Sequence, residues 1–253
     1  MSRSLPAVEA FWLGSRPYRE TWALQRALVE QIRAGTRPST LLLLEHPHVY
    51  TMGRRGVEEH LIWDGLERAR RGVELVWCDR GGDATYHGPG QLVGYPLLDL
   101  PALGSDILQH LRVMERSLIA YLEAVGVDSA PGGKGLTGVW AGDAKVAAIG
   151  VKLNDRRVTS HGFALNLTPD LDYFGGIVPC GLIGRQVTSV AQLTGRTIAV
   201  STAAEAYLRH FEGAYGVSVS RPLLSGLDGL VEQAPPEPSP PQAMIEANVR
   251  SGC

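Results

Sequence analysis

A thiol that attacks a carbonyl needs a nearby cation to favour its thiolate and backbone donors to hold the oxyanion. The chain carries three cysteines, Cys78, Cys180 and Cys253. Cys78 ends the apolar run VELVWC and reads as a small buried hydrophobe. Cys253 is the last residue and is given no role. Cys180 lies in GGIVPCGLIG, where an apolar run meets a tight turn between Pro179 and Gly181. It is either a nucleophile close to backbone amides or a buried structural cysteine. Composition singles out the cation. Of 24 basic residues only Lys134, Lys145 and Lys152 are lysine, all within 19 positions, and the other 21 are arginine. Arginine cannot give up its proton, whereas a desolvated lysine can, so a lysine retained beside an apolar run points to a need for an ammonium. Lys145 opens KVAAIGV, where strand alternation puts it on one face with Ala147, Ile149 and Val151; snorkelling to solvent is the competing reading. Lys134, in a glycine-rich loop, and Lys152, on the other strand face, read as surface residues.

The most distinctive stretch is RGGDATYHGPGQ, residues 80–91. Gly81 and Gly82 let the backbone approach a ligand closely, Arg80 offers a fork of donors, and His87 is a candidate acid–base group or donor. A purely structural loop is the alternative. Phosphate-binding patterns do not fit: GPGQLVG misspaces its glycines for a dinucleotide fingerprint, and PGGKGLTG lacks the first glycine of a P-loop. His46 and His48 form H-x-H, but no carboxylate or cysteine stands at a familiar spacing, so no metal is assigned. His161, ahead of GFALNL, reads as a core or supporting histidine more than as a base.

These segments need a frame. A helix is predicted over about 18–34 and another, capped by Ser105, over about 105–125. LLLLE suits a buried strand at 41–45, and further strands are expected at 73–78, 92–100, 137–141, 145–151 and 161–167, with helices at about 187–193 and 202–214. EHPHVYTMGRRG (45–56) and residues 80–91 read as loops. The interleaving predicts one α/β (α+β) domain over 1–224, a mixed sheet flanked by helices. Residues 225–253, with five prolines between 235 and 241, read as a flexible tail. A net charge of −2 gives no global drive toward nucleic acid or anionic membrane. Sparse cysteines, no secretory signal and no apolar run near a membrane-spanning length predict a cytoplasmic protein.

Taken in order, EHPHVYTMGRRG, RGGDATYHGPGQ, KVAAIGVK, HGFALN and IVPCGL ending in VTSV resemble the segments of lipoyl(octanoyl) transferases over about residues 18–215. The resemblance implies the fold shared by lipoate and biotin protein ligases. It implies transfer of an octanoyl group from octanoyl-acyl carrier protein to a specific lysine of a lipoyl domain, the first step of endogenous protein lipoylation. The acceptors implied are the lipoyl domains of 2-oxoacid dehydrogenases and the glycine cleavage H protein. Cys180 matches the acyl-thioester nucleophile and Lys145 the lysine that favours its thiolate. Arg80, Gly81, Gly82, Asp83, Ala84, Thr85, Tyr86 and His87 match an acyl-enclosing segment. So do Ala148, Ile149 and Gly150, and Gly162, Phe163 and Ala164. No cofactor is implied. An ATP-dependent ligase on the same fold, and a non-catalytic binder of carrier or lipoyl domains, are the alternatives. Arg54 and Arg55 are the suggested contact for an acidic carrier.

Overall fold

The computed structural model describes residues 5–133, 136–155, 157–178 and 186–238. Its first half runs β1 (Ala7–Ser15), α1 (Tyr18–Arg33), β2 (Ser39–Glu45), β3 (Val49–Met52), α2 (Gly65–Arg70), β4 (Glu74–Trp77), β5 (Ala84–His87), β6 (Gln91–Leu97) and α3 (Ile107–Ala124). The second half runs β7 (Ala130–Pro131), β8 (Val139–Ala141), β9 (Ala144–Asn154), β10 (Val158–Asn166), β11 (Gln186–Val187), α4 (Val190–Thr194), α5 (Val200–Tyr215) and β12 (Ser218–Ser220).

Among the described residues the strands form a large mixed sheet, ordered β12-β1-β2-β6-β10-β9-β8-β7 with β11 beside β9, and a small one, β4-β3-β5. In the large sheet β1 runs parallel to β12 and β2, β11 runs parallel to β9, and the remaining pairs are antiparallel. This is the mixed, helix-flanked sheet expected from the interleaved pattern. No helix among the described residues is long and apolar enough to cross a membrane.

The LLLL run shows why the sheet is buried on both sides. Leu41 and Leu43 enter a core with Met114, Leu118 and Leu122 of α3 and Tyr207 and Phe211 of α5. Leu42 and Leu44 enter the opposite core with Leu24, Leu28 and Ile32 of α1. Each of the four leucines is at most 2% exposed, and burying each contributes roughly 1.5–3 kcal/mol. Side-chain alternation thus sends one apolar strand into two cores.

Several expectations shift. The cap of α3 is Asp106, whose carboxylate accepts from the Gln109 N–H, and not Ser105. The two stretches read as loops each contain a strand, β3 and β5, paired antiparallel with Tyr50 opposite Tyr86. Both strands are buried at every position, so no polar–apolar alternation announces them. β1 also went unread. The segment after residue 224, expected to start a flexible tail, packs as far as it is described: Leu230 is buried against α1 with Leu227, Val231 and Ala234 beside it. Arg26 Nε donates to the Pro235 carbonyl at 2.9 Å, and Arg19 pairs with Glu237. Residues 239–253 lie outside the described residues.

Two features of this packing are testable. A Cβ on Gly94 of β6 would overlap the ring of Phe163, its register partner on β10. Gly94→Ala should therefore lower stability by about 1–3 kcal/mol, the usual cost of overpacking; an unchanged urea midpoint would contradict this contact.

The second concerns buried histidines. His46 is fully buried, its Nδ1–H donating to the Arg16 carbonyl at 2.6 Å while Nε2 accepts from the Tyr95 hydroxyl at 2.7 Å. Burial pushes His46 down to about 4 against the opposing backbone hydrogen bond, and burial pushes His110 down to about 4 as well. Unfolded imidazoles titrate near about 6.5, so between about 6.5 and 4 the unfolded chain binds more protons. Stability is then full above about pH 6.5 and falls as pH drops, by about 2 kcal/mol per histidine between pH 7 and pH 5. Urea midpoints should fall accordingly, and less steeply in His110→Gln; equal midpoints for the wild type at both pH values would refute the neutral buried imidazoles.

Candidate functional site

A cleft opens where the 80–82 loop lies against the β9–β10 ladder. Antiparallel register sets Ala148 opposite Ala164, Ile149 opposite Phe163 and Gly150 opposite Gly162, and all six line the cleft. The loop is fastened directly to β9, since the Gly81 N–H donates to the Val151 carbonyl at 2.9 Å. A Cβ on Gly150 would stand 2.9 Å from the Gly81 carbonyl oxygen, so only glycine lets the two backbones come this close. Gly82 adopts a left-handed φ of +91° that side chains rarely accept.

Arg80 holds the loop in shape. It is 7% exposed. Its Nη2 donates to the carbonyls of Thr51 at 2.5 Å and Asp83 at 2.6 Å, its Nε to Thr51 Oγ1 at 3.1 Å, and its Nη1 to the Gly81 carbonyl at 3.0 Å. The donor fork expected to face a ligand is therefore committed to Thr51 of β3 and to the loop's own carbonyls, although the side chain still lines the cleft. Thr85 and His87 also line it, whereas Asp83, Ala84 and Tyr86 do not. Asp83 Oδ1 accepts from the Ala84 N–H and Oδ2 lies 2.7 Å from His60 Nδ1. Ala84 and Tyr86 pack into the separate core of the small sheet with Tyr50 and Phe174. Alternation along β5 explains the split, because Thr85 and His87 share one face and Ala84 and Tyr86 the other.

Three residues of the lining lie outside the segments singled out by the resemblance as acyl-enclosing: Tyr18 at the start of α1, Tyr95 on β6 and His161 on β10. Tyr18 stacks on His87 with centroids 6.0 Å apart, and His46 sits 5.2 Å from Tyr18 and 5.7 Å from His87. Burial lowers the His87 pKa well below its ordinary value, helped by nearby His46 and opposed by a hydrogen bond to Gln91. His87 is thus a neutral imidazole whose Nδ1–H donates to Gln91 Oε1 at 2.8 Å. His48 turns elsewhere, stacking on Tyr173 at 4.1 Å and bonding the Tyr86 hydroxyl at 2.8 Å. The H-x-H pair therefore divides between two environments.

A buried relay leads from the cleft to Lys145. Gln91 Nε2 donates to Asn166 Oδ1 at 2.9 Å, and Asn166 Nδ2 donates to the Thr188 carbonyl at 2.9 Å. The Thr188 N–H in turn donates to the Lys145 carbonyl at 3.0 Å. Nothing in an isolated glutamine or asparagine announces such a role.

Lys145 is half-buried, with its Nζ 4.9 Å from the centroid of the Trp140 ring. Its face differs from the expectation. Trp140 pairs with Lys145 but Val139 pairs with Ala147, which leaves Val146 as an extra residue. Val146 and Ala147 both enter the α3–α5 core. This bulge breaks the alternation, so Lys145 leaves the face of Ala147, Ile149 and Val151, as bulges beside functional sites often re-aim a side chain. Cys180 lies outside the described residues, but both of its flanks are anchored. The Val178 N–H donates to the His60 carbonyl at 2.8 Å, and in β11 Val187 stands opposite Lys145. Cys78 is 2% exposed, in the buried position its sequence suggested.

With this geometry in hand, comparison with known proteins is informative. A family model described as the lipoyl protein ligase A/B catalytic domain matches residues 17–212. The octanoyltransferase of Syntrophotalea carbinolica is 46% identical over 200 residues, covering 79% of this chain and 90% of that protein. The mitochondrial octanoyltransferase LIP2 of Arabidopsis thaliana is 41% identical over 192 residues, covering 76% of this chain and 81% of that protein. A solved lipoate-protein ligase A bound with ATP superposes with a TM-score of 0.74 at 18% identity, over 90% of this chain and 93% of that one. A bipartite lipoate protein ligase from Thermoplasma acidophilum gives 0.71 at 17% identity, over 91% and 92%. At such identities the two structures speak for the fold alone. The extent of the family match and the identity to the curated relatives establish that the chain belongs to the lipoyl protein ligase A/B catalytic-domain family and, within it, to the octanoyltransferases.

Proposed function

We propose that the protein transfers an octanoyl group from octanoyl-acyl carrier protein to the lysine of a lipoyl domain, through a thioester on Cys180. The observation that carries this reading is the narrow, mostly apolar slot beside the strand of Lys145, with Val187, seven residues beyond Cys180, paired to that same lysine. Cys180 also follows the anchored Val178 by two residues in the sequence.

In this mechanism the Lys145 ammonium favours the Cys180 thiolate. The thiolate attacks the donor's thioester carbonyl, a new carbon–sulfur bond forms as the old one breaks, and the carrier leaves as a thiolate that takes a proton from the Lys145 ammonium, leaving Lys145 a neutral amine. The N–H groups of the 80–82 loop are the candidate donors to the oxyanion. The acceptor lysine, entering as an ammonium, gives one proton to the neutral Lys145 amine and attacks the Cys180 thioester; its second proton passes to solvent as the carbon–sulfur bond breaks, which forms the amide and returns the Lys145 ammonium and the Cys180 thiolate. Replacing a thioester by an amide runs downhill, so the cycle needs no ATP. The slot selects the acyl chain by apolar burial, at about 0.8 kcal/mol per methylene. Arg54 and Arg55, exposed beside the 80–82 loop through N–H bonds to the Arg80 and Gly82 carbonyls, are placed to meet an acidic carrier. The lipoyl domains of 2-oxoacid dehydrogenases and the glycine cleavage H protein are the acceptors in this scheme, and the reducing cytoplasm is its setting.

Intact mass after mixing with octanoyl-acyl carrier protein should reveal one octanoyl adduct on the wild type and none on Cys180→Ala; equal adducts on both would sink the mechanism. Lys145→Arg keeps the charge but loses the transferable proton, and should lower turnover by about 10²–10⁴-fold. Wild-type turnover in that variant would remove Lys145 from proton transfer, and a strict requirement for ATP would favour a ligase instead.

A further inference from the structure

Asp79 and Lys152 take no part in the transfer chemistry and do not line the cleft, yet they form a charged clamp on His161, which does. Lys152 Nζ donates to Asp79 Oδ2 at 2.6 Å, and His161 Nε2–H donates to Asp79 Oδ1 at 2.8 Å. Burial opposes ionisation of Asp79, but the bonds from His161 and Lys152 outweigh it and hold its carboxyl well below the usual range. The carboxylate is therefore a fixed anion. Burial in turn keeps His161 neutral despite Asp79, so its free Nδ1 accepts from the Tyr18 hydroxyl at 3.4 Å.

His161 is itself under strain. It is 1% exposed and has a φ of +56° in the middle of β10. A non-glycine residue rarely adopts that conformation and keeps it only when its surroundings over-determine it. Here they do: the His161 N–H donates to Gln25 Oε1 on α1 at 2.8 Å, and the ring is gripped from Asp79 and Tyr18. Behind it stands the Trp22 ring, with centroids 6.1 Å apart.

The β9–β10 register supplies a length scale. His161 stands opposite Val151, three residues along from Ala148 opposite Ala164, the end of the slot nearer Lys145, which itself lies three residues further along β9. At about 3.3 Å per residue the two levels are about 10 Å apart. An extended eight-carbon acyl chain, built from bonds of about 1.5 Å, spans about 9 Å. A chain whose carbonyl sits at the Lys145 end thus brings its terminal methyl against His161.

We propose that the Asp79–Lys152 ion pair sets acyl chain length by clamping His161 as the end wall of the slot. His161 is the specificity-determining residue that meets the terminal methyl. Asp79 and Lys152 act through it, as positioning residues. The proposal rests on the acyl-transfer reading, with the carbonyl at the Lys145 end. Without the clamp the imidazole loses its fixed orientation at the end of the slot and longer chains enter.

The test is the ratio of kcat/KM for decanoyl over octanoyl carrier protein. Lys152→Met, which keeps the stem but loses the ammonium, should raise this ratio, and Lys152→Arg, which keeps the ion pair, should hold it at the wild-type value. His161→Gly accepts the positive φ and removes the wall, so it should raise the ratio most, toward about fourfold per added methylene. If Lys152→Met and Lys152→Arg give the same ratio, or if His161→Gly transfers octanoyl with the wild-type ratio, the proposal is overturned. Should His161→Gly fail to fold, the two Lys152 variants decide alone. Failure of the wild type to transfer octanoyl at all would instead overturn the acyl-transfer reading, and the two failures are distinct.

Discussion

The buried guanidinium of Arg80 is the constraint on which the site depends. A cation at 7% exposure must be satisfied by hydrogen bonds, and Arg80 draws them from the backbone around it. It gathers the carbonyls of Thr51, Gly81 and Asp83 and so joins strand β3 to the loop that covers the cleft. With the loop so shaped, the Gly81 N–H reaches the Val151 carbonyl and the loop closes onto β9. The slot exists because two backbones meet there without side chains between them. Replacing Arg80 would leave several buried carbonyls without donors, and a loss of slot geometry would follow before any loss of global fold.

From that junction the architecture distributes the remaining roles. Ladder β9–β10 provides one wall, with small residues at Ala148, Gly150, Gly162 and Ala164 that leave the slot open. Helix α1 contributes Tyr18, and β6 contributes Tyr95. The bulge at Val146 turns Lys145 away from the core face. Buried polar side chains, Gln91 and Asn166, tie the His87 end of the slot to the backbone of Lys145. A relay of this kind is costly if broken, since each partner is buried.

Some of this was legible in the residues and some was not. LLLLE announced a strand buried on both faces, and the apolar stripe of α3 announced its helix. Arginine saturation marked Lys145, and the order of the glycine-rich, lysine and cysteine segments pointed to the family. The same patterns hid β3 and β5, because strands buried on every side show no alternation. They hid Tyr18 and Tyr95, because a buried aromatic residue looks like core until the fold shows what it faces. The resemblance marks the whole segment from Arg80 to His87, but adjacent residues in β5 point to opposite faces, so Ala84 and Tyr86 turn from the cleft that Thr85 and His87 line. Lys152 read as a surface lysine, yet its partner Asp79 comes from a segment 73 positions away, a pairing that only the folded chain can reveal. The bulge at Val146 depends in the same way on its partner strand.

The central claim is that one slot joins Cys180, Lys145 and His161 along a single acyl chain. A crystal structure of the octanoylated protein tests it most directly. The account predicts electron density continuous with the Cys180 Sγ, the chain running between the Gly81–Gly82 loop and the β9–β10 ladder, its methyl end against His161, and Lys145 Nζ within about 3.2 Å of the sulfur or the thioester oxygen. An acyl chain lying outside this slot, or attached to another residue, would contradict it.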